Sequence, residues 1–450
     1  MNKEIMLDKK VGIIGAARSG VAIAKLMKKV GAIPFVSDMA SSDKLKNFLL
    51  ELDNENIQYE CGKHTERLLD SDMVVISPGV PSNVPIVTQL LNSGKKVVSE
   101  IEAAYYFNTA KLIGITGSNG KTTTTSLLHE MFKLNDKKSF LAGNVGDPFS
   151  NYVLDTNEEY YGVLELSSFQ LDHIETFKPI VSLILNITPD HIDRYGSFEN
   201  YINSKARIFM NQKESDFLIY NSDDKIVSKI AEKANCRKLK LSIQSKDNEG
   251  AFVENNEVKI IFDGNEFVLI NCDEIFIRGK HNLYNSLAAS MAGYVSGLTK
   301  EEIIKVLKVF KGVEHRLEFV RELGGVKFYN DSKATNVDSV WYALDSFTSP
   351  VILIAGGKDK GNDYTDIIPL VKEKVKNAVL IGEGADKLGK ALNGITSISF
   401  AQTMEEAVKV AYDISKHGDV VLLSPACASF DMFNNYEHRG LIFKNSVMAI

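Results

Sequence analysis

Apolar and polar positions divide this chain into short strand-like runs, each followed by a segment with helical spacing. Residues 10–15 (KVGIIG) predict a strand, and the helix behind it places Val21, Ala24, Met27 and Val30 on one face. Residues 32–38 and 73–79 predict two more strands, the second running into a Pro-Gly turn. The pattern returns with strands at 112–115, 162–168 and 180–188 and helices at 122–131 and 198–209. Residues 216–270 differ, because apolar and polar positions alternate there and the pairs Asn255-Asn256 and Asp263-Gly264 mark hairpins. After residue 311 strands are predicted at 351–357, 378–382 and 420–423, with a helix at 404–416 between the last two.

Strands alternating with helices imply mostly parallel, doubly wound sheets, so the fold class is α/β. Three domains are expected. Residues 1–99 form a Rossmann-like unit, residues 100–311 a central P-loop domain with a small β-rich part, and residues 312–450 a second Rossmann-like unit. A chain of 450 residues is too long for one core, which agrees with that division. The net charge of −6 argues against a nucleic-acid partner. The four cysteines, Cys61, Cys236, Cys272 and Cys427, are scattered without a CxxC pair, so neither a disulfide framework nor a zinc knuckle is indicated. No signal-peptide core and no membrane-length apolar run occur, so a cytoplasmic monomer without membrane insertion is expected.

The chemistry concentrates at residues 111–125, KLIGITGSNGKTTTT. A strand, the turn Gly117-Ser118-Asn119-Gly120 and a helix opening at Lys121 make an anion site from bare backbone N–H groups and a helix dipole. Lys121 would reach the β/γ-phosphates of a nucleoside triphosphate, and the Thr122 hydroxyl a magnesium ion. The spacing departs from the strict P-loop, since Ile115 stands where its first glycine belongs. Glu165 interrupts an apolar strand, a costly placement unless the acid is paired or metal-bound. His191 stands among acids at a strand end, where a metal or phosphate contact and a structural role compete. The residues around Lys205 do not separate a functional lysine from a solvated one. Asn282 and Asn285 share a helical face, which suits an adenine edge or simple helix capping by Asn282. Cys427 lacks an evident His–Asn relay and is not read as a nucleophile. In the first unit, Asp38 closes a strand as in dinucleotide-binding folds, but Ala17 replaces the middle glycine of that fingerprint. Ser77, Pro78 and Gly79 suit either a ligand contact or a plain turn.

Taken in order, the motifs resemble the Mur ligases. The likeness is carried by TGSNGKTT (116–123), AGNVG (142–146), LELSSFQL (164–171), NITPDHIDRY (186–195), GKHNLYN (279–285), EHRLE (314–318), NDSKATN (330–336) and SPACASFDMFNNYEHRG (424–440). The last two, with SPGVP (77–81), point to the branch that adds D-glutamate. The resemblance implies ATP-dependent ligation of D-glutamate to UDP-N-acetylmuramoyl-L-alanine through an acyl phosphate, with ATP and two Mg2+ ions. It implies that Gly117, Ser118, Asn119, Gly120, Lys121, Thr122 and Thr123 hold the ATP phosphates. Asn282, Asn285, Arg316 and Asp331 would hold the rest of the nucleotide. Thr122, Glu165, His191 and a CO2-carbamylated Lys205 are the implied metal ligands, with Asn144 close to the reacting phosphate. The uridine diphosphate end would meet Arg18, Ser19, Asp38 and the Ser77–Gly79 turn, and Ser167 and Gln170 would also contact substrate. D-Glutamate would meet Lys333, Thr335, Lys360, Ser429 and Tyr436. Met39 departs from members with a hydroxyl residue at that position. Another Mur ligase or a folylpolyglutamate synthetase-like enzyme stays open, as do, more remotely, a P-loop NTPase module and an NAD-dependent dehydrogenase.

Overall fold

A computed structural model describes residues 6–246, 249–359 and 361–450. It separates into two compact units, Met1–Ile275 with Tyr284–Lys308, and Phe276–Leu283 with Val309–Ile450. Among the described residues the strands form three sheets.

The first sheet lies in the first unit and contains β1 (Lys10–Ile14), β2 (Ile33–Asp38), β3 (Gln58–Cys61), β4 (Met73–Ile76) and β5 (Lys96–Ser99). Its order is β3-β2-β1-β4-β5 with every pairing parallel. The helix Arg18–Lys29 and its C-cap Val30 bury Val21, Ala24, Met27 and Val30, the face the spacing predicts.

The second sheet, in the same unit, contains β6 (Lys111–Thr116), β7 (Ser139–Gly143), β8 (Tyr161–Glu165), β9 (Val181–Ile184), β10 (Phe217–Asn221), β11 (Arg237–Ser242), β12 (Gly250–Glu254), β13 (Glu257–Phe262) and β14 (Asn265–Asn271). Its order is β14-β13-β12-β11-β10-β9-β6-β8-β7. The hairpins foreseen at Asn255-Asn256 and Asp263-Gly264 are present, with all four residues at positive φ. They do not form a separate part. Instead β12 pairs parallel to β11 and the hairpins extend the one sheet. The β-rich stretch also holds a helix, Lys225–Ala231, capped by Asp224. β8 and β9 end earlier than the apolar runs suggested. Ser168 already opens the helix Ser168–Leu171, and residues 185–188 leave the sheet to run along the turn 117–120.

The second unit carries β15 (Glu318–Leu323), β16 (Val326–Asn330), β17 (Val351–Gly356), β18 (Val375–Ile381), β19 (Ser397–Phe400) and β20 (Val420–Leu423) in the order β15-β16-β20-β17-β18-β19. Only β15 runs antiparallel. Register aligns the carboxyl ends of the strands: Ile115 and Gly143 face Glu165 in the second sheet, and Asn330 faces Leu423 in the third. Such ends, at switch points of strand order, are where open α/β sheets hold ligands.

Candidate active site

The turn after β6 is the one the sequence marks as a candidate anion site. Gly120 sits at φ +82 as the N-cap of the helix Lys121–Lys133. A Cβ there would come 2.4 Å from Asn285 Oδ1, so glycine is required for space as well as for dihedral. Asn186 braces the turn reciprocally, accepting from Asn119 N at 2.8 Å and donating to Asn119 O at 3.0 Å. Ser118 Oγ accepts from Thr188 N at 3.0 Å. Lys121 Nζ lies over the turn, 2.8 Å from Gly117 O and 2.9 Å from Ser118 O. Thr122 and Thr123 are buried in the helix's first turn, and Thr124 Oγ1 donates to Asn285 Oδ1 at 3.2 Å.

Beside that turn stands Glu165, only 2% exposed at the end of β8. Its Oε1 accepts from Asn144 Nδ2 at 2.7 Å, while Oε2 is buried without a partner. A buried carboxylate oxygen left without a donor marks a place for a cation. Lys205 is 1% exposed, which removes the solvated-lysine reading. Its Nζ donates to Gly117 O at 2.8 Å, the same oxygen that Lys121 uses. Burial, and then the neighbouring Lys121 cation, depress the Lys205 amine well below the ordinary lysine range. His191 adopts φ +52 at the start of the helix Ile192–Tyr195, its ring against Phe169 and 3.6 Å from Asp190 Oδ2. Among the described residues no three His, Cys, Asp or Glu side chains form a ready metal cage.

Other predicted residues are placed less directly. Asp38 is held by backbone N–H groups, from Ala16 at 2.6 Å and Ala40 at 2.7 Å. Ser77 Oγ lies 3.4 Å from Gly15 O, so the loops after β1 and β4 meet. Arg18 donates to Gly146 O and is exposed beside half-buried Ser19. Arg194 donates to Pro78 O and Val80 O, at 3.1 and 2.9 Å, fixing the turn that contains Gly79. Ser167 and Gln170 bond each other, as Gln170 Oε1 accepts from Ser167 N at 3.0 Å. The helix Lys280–Val295 starts before Asn282, so that amide is not its N-cap; it donates instead to Arg278 O at 2.9 Å.

In the second unit, Asp331 is buried, accepts from Ser424 Oγ at 2.8 Å and is pushed up to about 7 by desolvation. Lys333 Nζ lies 5.3 Å from the centre of the Tyr436 ring. Ser429 is buried and Thr335 half-buried, while Lys360 lies outside the described residues. Arg316 follows His315, which sits at φ +64 with its Nδ1 2.9 Å from Asn330 Nδ2.

Two residues not foreseen complete these loops. One is Asn186. The other is Arg439, buried and bonded to Ser332 Oγ, Ser332 O and Cys427 O at 2.7–3.1 Å, with its guanidinium depressed to about 10 by burial. The sequence around Arg439, Glu437-His438 before it and Gly440 after it, gave no signal of its burial. For Asn186 the signal was an amide interrupting the apolar run 180–187.

Known proteins match the chain in sequence and in fold. Family models match at residues 10–85 (MurD N-terminal domain), 115–293 (Mur ligase middle domain) and 315–427 (Mur ligase, glutamate ligase domain). The chain is 47% identical to the UDP-N-acetylmuramoylalanine--D-glutamate ligase of Salinibacter ruber, covering 97% of both chains. It is 46% identical to the enzyme of that name from Clostridioides difficile, covering 98% of both. Among solved structures, UDP-N-acetylmuramate-alanine ligase MurC of Thermotoga maritima aligns with a TM-score of 0.60 at 16% identity, over 98% of this chain and 99% of that one. That likeness carries the fold alone. Full-length identity at this level settles the lineage, and the chain belongs to the Mur ligase family.

Proposed function

We propose that this protein is an ATP-dependent amide ligase that joins D-glutamate to UDP-N-acetylmuramoyl-L-alanine in peptidoglycan precursor synthesis. Supporting this are the full-length relatives that carry the corresponding name. The mechanism rests on one observation: two lysine amines converge on Gly117 O beside a buried glutamate that has an unpartnered oxygen.

A carboxylate is a poor electrophile, so the γ-phosphoryl group first passes to the alanyl carboxylate. The D-glutamate amine then attacks the acyl phosphate, and phosphate leaves. The turn 117–120 and Lys121 hold the triphosphate in place for that transfer. Asn144, oriented by Glu165 Oε1, presents its amide near the transferring group. Thr122, Glu165, His191 and Lys205 would hold the magnesium ions, two in this reading, that neutralise charge on the phosphoryl group. Burial of the Lys205 amine favours its neutral form, the one that adds CO2 with loss of a proton, and a carbamate there would be an anionic oxygen ligand where an ammonium would repel a cation. Asn285, Arg316 and Asp331 serve the nucleotide, Arg18, Asp38 and Ser77 the uridine end, and Thr335, Ser429 and Tyr436 the amino acid. The four cysteines are free, and no helix among the described residues is long and apolar enough to cross a membrane. Both agree with work in the cytoplasm.

Phosphate release should be scored with UDP-N-acetylmuramoyl-L-alanine, ATP, Mg2+ and a panel of amino acids. Release that requires D-glutamate is the expected result. Release with L-alanine or meso-diaminopimelate would assign a different Mur ligase, and release without any amino acid would leave only an ATPase.

A further inference from the structure

Asp172, directly after the helix Ser168–Leu171, has no place in the chemistry above, yet three segments of the site meet at its carboxylate. Tyr195 Oη donates to Asp172 Oδ2 at 2.9 Å, and Ser204 Oγ donates to Asp172 Oδ1 at 2.5 Å. Each hydroxyl has one hydrogen, so each carboxylate oxygen takes one. The two hydroxyls lie 3.2 Å apart, and Ser204 Oγ is also 2.9 Å from Ser168 O. Ser204 is buried and immediately precedes Lys205. Tyr195 ends the short helix that His191 caps, and its ring stacks on Phe169, against which the His191 ring also packs. Ser168, at the other side of the knot, lies three residues after Glu165.

We infer that Asp172 is the positioning residue that sets Glu165, His191 and Lys205 relative to one another through the Tyr195 and Ser204 hydroxyls. The three side chains sit on separate segments, and no covalent continuity fixes their mutual spacing. A carboxylate that accepts from two of those segments while closing the third does fix it. Charge-assisted hydrogen bonds of this kind are short and strong, and they resist the shear that would let one helix slide. Outer-shell partners of this type govern metal affinity in other proteins by 10–100-fold. The inference rests on the assignment of Glu165, His191 and Lys205 to divalent ions, so the test separates the two.

Mn2+ binding to the full-length protein with a non-hydrolysable ATP analogue, followed by electron paramagnetic resonance, gives an affinity that does not depend on turnover. In Asp172→Asn one carboxyl oxygen becomes an amide donor facing a hydroxyl, so affinity should weaken at least about tenfold. Tyr195→Phe with Ser204→Ala removes both donors and leaves the carboxylate, and should weaken it comparably should the asparagine variant fail to fold. Asp172→Glu should recover part of the loss. The KM for D-glutamate should stay unchanged while kcat falls. Wild-type affinity in folded Asp172→Asn, or in the double variant, overturns the positioning role. Wild-type affinity in Glu165→Ala overturns the metal assignment, and the inference with it.

Discussion

Lys205 occurs in a helix of ordinary polar composition, FENYINSKA, and nothing in those residues distinguishes it from a surface lysine. Its burial is decided by where the helix docks, a tertiary fact that periodicity does not carry. Glu165 was different, because an acid inside an apolar strand announces its own cost. Lys205→Ala should lower turnover by roughly 10² to 10³, the scale on which a preorganised electrostatic group acts. Formate or acetate should restore part of the rate by supplying an anionic oxygen to the vacated space. A fully active alanine variant in the phosphate-release assay would remove the carbamate from the mechanism. Asp331 allows a test on stability alone. Its carboxyl is pushed up to about 7 from a normal 3.8, so between these values the folded protein holds a proton that the unfolded chain has released. Stability from this group is therefore full below about pH 4 and declines as pH rises toward 7. Asp331→Asn cannot titrate, so its stability relative to the native protein should improve by on the order of 1–3 kcal/mol between pH 4.5 and 7.5. Urea midpoints at the two pH values check this, and parallel curves would refute it.

At the level of elements, the glycine turn and the helix that opens at Lys121 were legible because their signals are local, within a few residues. The hairpins were legible for the same reason, since Asn255-Asn256 and Asp263-Gly264 are suited to the positive φ that both turns adopt. The helix Lys225–Ala231 was not. Seven residues are too few to form a helix unaided. What holds it is Asp224, which accepts from Ile226 N at 2.9 Å and Val227 N at 3.1 Å and also from Ile187 N at 3.0 Å, in the segment after the neighbouring strand β9. Two glycine turns give a matched comparison. Gly264 lies at φ +74 with open space around its Cα, whereas Gly120 lies at φ +82 against Asn285. Gly264→Ala should cost only the dihedral penalty, about 1–2 kcal/mol, and keep ATP affinity. Gly120→Ala adds a clash that displaces Asn285 and reshapes the phosphate turn, so titration calorimetry should find ATP binding abolished. Equal ATP affinity in the two variants would show that the turn does not grip the nucleotide.

For the whole molecule, alternation of strands and helices predicted the sheets, but it says nothing about which sheets share a core. One apolar cluster runs continuously from Met6 and Val11 through Phe107, Phe140 and Leu164 to Cys236, so it serves both the first and second sheets. Polar staples tie the residues directly after β5 to loops of the second sheet. Glu102 accepts backbone N–H bonds from Glu175, Thr176 and Phe177 at 2.8–2.9 Å, and Glu100 accepts from Ser150 N at 2.8 Å. No composition shift or linker betrays contacts of this kind, because they pair residues 50 to 75 positions apart. A shared core implies shared cooperativity. Hydrogen exchange under mild denaturant should therefore show the amides of β1 and β4 opening with those of β6 and β8, at one free energy. A uridine nucleotide that binds only at the first sheet should raise the protection of both sets together, by linkage. The amides of β17 and β20, in the other compact unit, should keep their own opening free energy. Protection of β6 that stays constant while β1 responds to the uridine ligand would show that the first sheet opens alone, and would make residues 1–99 an independent folding unit.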